Sequence, residues 1–451
     1  METEPSQGIT GAPRARPVDV SERIPLLDVL RGFALGGVFV SNVNLWFSGR
    51  VFLPPDRAKE MLSGTLNAVA GYGFMYLGFG KFMTLFSTLF GLGFAVQMLR
   101  AEDRGSEVAP IYARRLGVLL AIGLAHRFGL WLGDILGMYA LMGFALLLFR
   151  KRSNKTLLFW AFGLIFIAPL AVQGAEKFIP LLWTSKEALK AAEASAMGQM
   201  DVARSEMLAG MQSSSYLEML KANAKYVKVD LLGWHSVGLP LVILGKFLLG
   251  FYAGRRQFFN NVAENRGFFL RLLGWGLGIG IVASSARLVV RILTTRNILD
   301  PMGSWRVAMG PVSEIGMCGL AAAYAAIITL LFQRPLWRRI LSLLAPAGRM
   351  ALSNYLFQSV MGLLVFYGFG LGYAGKWGPA QAIAVAAGLF TVQIGLSHLW
   401  LSRFRFGPVE WAWRSLTYGE AQPMRISSSI DPKAPIAQKN PGEEAAPPAG
   451  A

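Results

Sequence analysis

The chain has few of the residues that build metal and disulfide chemistry. Its 451 residues include one cysteine, Cys318, and three histidines, His126, His235 and His398. A single cysteine excludes an internal disulfide. Four scattered ligands argue against a structural zinc site, so no metal is assigned and no bound cofactor is expected. No His-Glu-x-x-His pair and no Gly-x-Ser-x-Gly elbow occurs. Charge is scarce too, at 16%, against about 25% in soluble domains. Acidic residues are the scarcer kind, 26 against 44 lysines and arginines, for a net charge of +18. In their place the chain is 54% hydrophobic with mean hydropathy +0.44. That composition predicts an all-α, polytopic membrane helix bundle with the lipid bilayer as its main partner. The basic residues fall in short clusters between apolar runs. An anionic leaflet, not nucleic acid, is their expected counter-charge.

The organising stretch runs from Arg23 to Asn44 and opens the first apolar segment. Asp28 and Arg31 are three apart and share a helical face. Asn42 lies eleven residues beyond Arg31, which at 100° per residue returns to nearly the same azimuth. A polar stripe about 16 Å long therefore runs along an apolar helix. Ionisable groups at membrane depth must face a bundle interior or a wet cavity. An anchoring pair and a functional site stand as equal readings of it. The segment is too long and too polar for a signal-peptide core and is expected to stay attached.

Ten spans are expected, near 26–47, 79–98, 111–131, 134–149, 156–173, 234–253, 268–290, 308–332, 350–371 and 378–402. Residues 1–22 and 420–451 read as disordered cytoplasmic tails. Membrane helices one to five fill 23–173, and helices six to ten fill 231–419. The polar, charge-balanced segment 174–230 between them reads as a pair of amphipathic helices outside the cytoplasm. The alternate basic loops all land on the side of both termini, giving an N-in, C-in topology. Lys81, at the start of span two, is expected to snorkel to the interface. Gly274, Gly276, Gly278 and Gly280 in span seven follow no strand and so form no dinucleotide fingerprint.

Chemistry-bearing residues cluster in four places. A turn at Gly133 brings His126 and Asp134 together, the carboxylate fixing the imidazole tautomer as a general base requires. A helix-end salt bridge with Arg127 is the blander reading and is favoured on the residues alone. Arg287 and Arg291, one turn apart, face Glu314 across an outer loop. Glu314 neutralising an arginine is the favoured, blander reading, and an anion site using the spare arginine is the sharper one. Span nine starts at Arg349, whose charge adds to the helix N-terminus to seat a phosphate or carboxylate. Asn354 and Gln358 share one face there and are expected to bond a neighbouring helix. After span ten, Glu410 and Arg414 form an i,i+4 pair, and Arg403 and Arg405 extend a basic rim.

Four motifs together resemble the YeiB-like family of bacterial membrane proteins, DUF418. They are Asp28-Val29-Leu30-Arg31-Gly32-Phe33-Ala34, Gly133-Asp134-Ile135-Leu136 with Tyr139-Ala140, Gly348 to Tyr355 with Gln358-Ser359, and Gly407 to Tyr418. They span about 23–419. The resemblance implies a multi-pass inner-membrane protein, a family for which transport has been suggested. The Leu27-Asp28-x-x-Arg31-Gly32 start is also similar to that of transmembrane acyltransferases, which pass acyl groups from cytoplasmic acyl-CoA to a sugar or similar acceptor. That likeness carries over to Asp28, Arg31, Gly32 and Asn42. The heparan-type members have an essential histidine soon after the first helix, whereas here the first histidine after Arg31 is His126.

Two functions follow as expectations. One is acyl transfer from cytoplasmic acyl-CoA as co-substrate to a small-molecule or glycan acceptor. His126 and Asp134 would act as base and orienter, and Arg349, Arg403, Arg405 and Arg414 as the entry rim. The other is transport of a small anionic or amphipathic solute along the same stripe, with Arg287 and Arg291 binding it. No internal repeat and no pair of Pro-broken helices in matching halves supports the second. A lipid-binding or assembly protein is the third class, and oligomeric state stays open.

Overall fold

The computed structural model describes residues 24–103, 108–232, 235–300, 303 and 305–426. Among these the regular elements are helices, with one isolated strand-like pairing of Phe404 and Arg425. The tail expected at 1–22 lies outside the described residues, as does the other tail from 427 on. Residues 420–426 are described, and Met424 accepts the Arg405 N–H at 2.9 Å.

Helix α1, Pro25–Asn42, begins with a proline at its first turn, where no N–H is needed. It runs on into a π turn, Val43–Phe47. Short α2, Pro55–Glu60, leads to α3, Thr65–Leu77, and α4, Lys81–Asp103. Together α3 and α4 form one long apolar path, broken at Gly78–Gly80. The break needs Gly80, whose φ is +75°. The sequence places the start of span two near 79 and Lys81 at the interface. Instead Lys81 is 1% exposed. Its Nζ donates to the free Met75 carbonyl at 3.2 Å, and Tyr324 caps the Leu77 carbonyl at 2.8 Å. The Met75 and Leu77 carbonyls released by the break are thus satisfied inside the bundle.

Helices α5, Val108–Gly129, and α6, Leu136–Leu147, form a tight hairpin. Gly123 packs against the Gly137 backbone. Then follow α7, Asn154–Phe162, α8, Ala168–Phe178, α9, Lys186–Gln212, and α10, Tyr216–Leu232. The apolar path that matches the fifth expected span runs Asn154–Leu182, past the expected end at 173. The α9–α10 pair packs Met207, Met211, Met219 and Tyr226 against Phe47, Phe52 and Trp131, forming a core at one end of the bundle. Next come α11, His235–Arg255, α12, Arg266–Thr295, α13, Trp305–Phe332, α14, Pro335–Ser342, and α15, Ala345–Arg349. The last three are α16, Ala351–Phe366, α17, Pro379–Leu401, and α18, Pro408–Tyr418.

Among the described residues, seven paths are long and apolar enough to cross a membrane, and α6 and α16 are shorter apolar helices. The chain is a polytopic membrane helix bundle. Of the ten expected spans, α5 falls short on apolarity because it carries Arg114, Arg115, His126 and Arg127. Large apolar side chains such as Phe159, Trp275, Val282 and Leu399 point outward, as lipid-facing residues do. Pro240 and Pro311 sit inside α11 and α13.

Small residues set the closest helix approaches. Within the glycine run of α12, Gly276 and Gly280 meet the α13 backbone at Gly319 and Leu320, while Gly274 and Gly278 meet nothing. A Cβ at Gly280 would stand 2.7 Å from the Leu320 nitrogen. Gly280→Ala is therefore expected to cost about 1–3 kcal/mol, and Gly278→Ala close to nothing. Thermal melts of the two variants in detergent check this; equal melting temperatures would overturn the assignment of faces. At the other end of the bundle, Gly348 lies on the Asp28 carbonyl and Gly32 on the Leu344 carbonyl, which locks α15 onto α1.

Candidate functional site

The α5–α6 hairpin positions the central pair. Asp134 sits in the turn just before α6, where its carboxylate takes the free N–H groups of Leu136 at 3.1 Å and Gly137 at 2.8 Å. Those bonds fix the carboxylate, which then accepts from His126 Nδ1 at 2.9 Å. With the proton on Nδ1, Nε2 is left as an acceptor. Nε2 faces the Ser359 hydroxyl of α16 at 2.8 Å. All three side chains are buried, with Ser359 at 1%, His126 at 2% and Asp134 at 6% exposure. Ser359–His126–Asp134 thus forms a hydrogen-bonded chain from hydroxyl to imidazole to carboxylate, the order that activates a nucleophile. The imidazole lies between the rings of Tyr355 and Trp131, with centroids at 5.3 and 6.2 Å. Trp131 Nε1 is a buried donor with no hydrogen-bond partner among the described residues. Arg127 turns away to Asp230 at 3.9 Å, so the helix-end cluster of His126, Arg127 and Asp134 does not form.

Asp134 and Tyr355 line a cavity of about 970 Å³, whereas His126 and Ser359 are not part of its lining. The α1 stripe faces that cavity: Asp28, Arg31, Ser41 and Asn42 all line it. Asp28 and Arg31 pair at 2.9 Å. At the end bearing this pair the lining is basic, with Arg31, Arg100, Arg115, Arg349, Arg405 and Arg414. Arg403 is not part of that lining. Arg349 keeps a buried Nε without a partner among the described residues. Arg115 bonds Gln97 at 2.9 Å and lies 4.0 Å over Trp413. At the opposite end the lining includes Trp46, Val51, Tyr226 and Asp230, the last two from α10.

Other expected groupings resolve differently. The anion seat at the start of α16 is filled from within the chain. Glu410 Oε1 accepts the N–H groups of Leu352 at 2.7 Å and Ser353 at 3.0 Å, and Oε2 accepts the Ser353 hydroxyl. The expected Glu410–Arg414 pair gives way to this cap, and Arg414 lies 4.7 Å over Phe406. Gly407 is required here, because a Cβ would collide with Glu410 Oε2. Complete burial pushes the Glu410 carboxyl above its ordinary value, and the bonds from Ser353 and Leu352 offset part of the rise. Asn354 donates to Ser397 at 3.0 Å and Gln358 to Gln393 at 2.8 Å. Both therefore fasten α16 to α17 and lie outside the cavity lining. Glu314 lines the cavity but pairs with Lys246, at 2.8 Å, and with neither arginine. Arg287 stacks 4.1 Å over Phe79. Arg291 is exposed on α12.

The comparisons bear on this architecture as a whole. A family model described as a protein of unknown function, DUF418, matches residues 253–420. YxaH of Bacillus subtilis, an uncharacterized protein, is 34% identical over 430 residues, covering 92% of this chain and 99% of YxaH. The chain belongs to the DUF418 family. The Escherichia coli member YeiB, also uncharacterized, is 27% identical over 89% of this chain and 98% of its own. A 39.9 kDa protein of Bacillus acidopullulyticus, uncharacterized as well, is 28% identical over 92% of this chain. No solved structure matches. This DUF418 protein is thus a multi-pass membrane protein with bacterial relatives.

Sequence reasoning found His126, Asp134 and the α1 stripe. It missed Ser359 as the imidazole's partner, although Gln358-Ser359 stands in one of the four motifs. It also missed Lys246, a lone cation in an apolar helix.

Proposed function

We propose that this DUF418 protein is a transmembrane acyltransferase of the bacterial inner membrane. It would move an acyl group from cytoplasmic acyl-CoA to an extracytoplasmic hydroxyl or amine. The observation that carries this reading is the Ser359–His126–Asp134 chain beside a cavity whose lining reaches both ends of the bundle. The basic end suits the phosphates of CoA, with six arginines there and both nearby carboxylates already engaged.

The geometry supports a two-step route. Ser359 Oγ attacks the thioester carbonyl while His126 Nε2 takes its proton. The C–S bond breaks, and His126 returns the proton to the departing thiolate. An acyl ester then stands on Ser359. The acceptor hydroxyl attacks that ester, His126 takes the acceptor's proton, and Ser359 recovers it as it leaves. Asp134 holds the imidazolium formed in each step. Trp131 Nε1 supplies a spare donor to the developing oxyanion. Access requires the Tyr355 side chain to swing. Its hydroxyl makes only two long contacts, to Gly133 O and Ile135 N, each 3.3 Å.

One observation favours transport as a second reading. The α3–α4 break lies beside the cavity, with Phe79 and Gly80 in its wall, and discontinuous helices at binding sites are common in transporters. Purified protein in nanodiscs, given labelled acyl-CoA, separates the two. Release of free CoA supports acyl chemistry. No release, with counterflow of an unmodified solute in proteoliposomes, would replace it with transport.

A further inference from the structure

Two glycines of α4, Gly91 and Gly93, differ in what surrounds them. Gly91 is needed for packing, because a Cβ there would collide with the Phe247 carbonyl oxygen of α11. Gly93 has no such role. Its backbone is helical and does not require glycine. Among the described residues a Cβ there would meet Arg31 Nη2 alone, at the ordinary contact distance of 3.5 Å. A glycine so placed weakens its helix without a packing return. Gly93 lines the cavity, so the missing side chain leaves space inside the bundle and not in the lipid.

That space lies where the lining changes character. On α4, Gln97 and Arg100 line the cavity on the arginine side of Gly93, and Phe90, Phe86 and Met83 line it on the other. On α1 the same change runs from Asp28 and Arg31 to Leu35 and Val38. Tyr139 also lines the apolar stretch, but its hydroxyl is bonded to Ser87 at 2.6 Å. Tyr355, whose ring lies beside His126, packs in one cluster with Leu35, Leu119, Phe86 and Phe90. The apolar stretch therefore passes the side chain next to His126. We infer that the cavity takes its ligand lengthwise, as an amphiphile with its anionic head among the arginines and an alkyl chain threaded past Gly93. From Gly93 to Met83 the stretch is about 15 Å long at 1.5 Å per residue, room for an extended chain of roughly a dozen carbons. Resting on the acyl-transfer reading, this makes the donor a medium- or long-chain acyl-CoA, since an acetyl group would leave the stretch unfilled.

The test uses the full chain in phosphatidylcholine nanodiscs with a dodecanoyl-CoA analogue carrying a diazirine near the end of its chain. After illumination, peptide mapping is expected to place the label on segments 35–38 and 83–90. Each methylene taken out of water adds roughly fourfold in affinity, so unlabelled dodecanoyl-CoA should suppress the label at a concentration about 100-fold or more below acetyl-CoA. Gly93→Trp fills the passage and is expected to abolish labelling of both segments, with a ligand-free melting temperature close to that of the wild type. Gly93→Leu is the smaller companion variant. Four results overturn the inference: label confined to lipid-facing residues such as Phe159 and Val282, equal suppression by acetyl-CoA, undiminished labelling in the glycine variants, or failure of both variants to fold. CoA release is measured on the same samples. Labelling without release keeps the chain's seat and removes acyl transfer. Release from acetyl-CoA without labelling of the cavity keeps acyl transfer and removes the seat.

Discussion

His126→Ala is expected to lower CoA release from acyl-CoA by about a hundred- to ten-thousand-fold, the usual worth of a positioned general base. Ser359→Ala should match it and should also abolish the covalent intermediate. Brief incubation of wild-type protein with radiolabelled acyl-CoA should leave a hydroxylamine-labile label on the peptide containing Ser359. The double variant should be no slower than either single one, since base and nucleophile act as a unit. Asp134→Asn preserves size but offers an amide to Nδ1, which disturbs the tautomer and is expected to cost a comparable factor. These side chains also tie the α5–α6 hairpin to α16, so melting temperatures must accompany the rates. Variants that lose stability yet release CoA in proportion to their folded fraction would show that the chain only braces the hairpin.

Glu410→Ala is expected to be the most destabilising single change, at about 3 kcal/mol or more. It strips three donors, the N–H groups of Leu352 and Ser353 and the Ser353 hydroxyl, of their acceptor in a buried place. Glu410→Gln keeps one oxygen and should cost less. The acid dependence has a definite sign. Burial raises the folded-state value of Glu410, so the folded protein holds this proton when the unfolded chain has lost it. Stability therefore falls as pH rises from about 4.3 through the raised value, and is level above it. Melting temperature against pH should show this slope in the wild type and lose it in Glu410→Gln. A slope unchanged in that variant would assign the effect to another group.

Much of this was readable in the chain because it is local. The stripe of Asp28, Arg31 and Asn42 depends only on helical geometry, and His126 and Asp134 are joined by a short turn. Ser359 was hidden because it lies 233 residues from His126, and no periodicity reports such a contact. Glu410 and Arg414 have ideal spacing for a surface pair, but Glu410 meets bare helix amides that demand an acceptor, while Arg414 lies over Phe406. Glu314 had two arginines near in sequence, yet Lys246, deeper in the bundle, needed a counter-charge more. The α3–α4 break is not evident from the chain because the Met75 and Leu77 carbonyls are closed by Lys81, at the start of the next helix, and by Tyr324, far along the chain.

The cap on α16 also imposes an order on how the molecule is made. Ser353 and Glu410 are 57 residues apart, so at about 5–20 residues per second the ribosome supplies Glu410 roughly 3–11 s after Ser353. Until then the first turn of α16 has no internal acceptor, and Ser359 cannot be held firmly against His126. The Ser359–His126–Asp134 chain is therefore among the last features to mature during synthesis. A message truncated before Pro408 would yield a protein that inserts most of its helices but never sets its central hydroxyl.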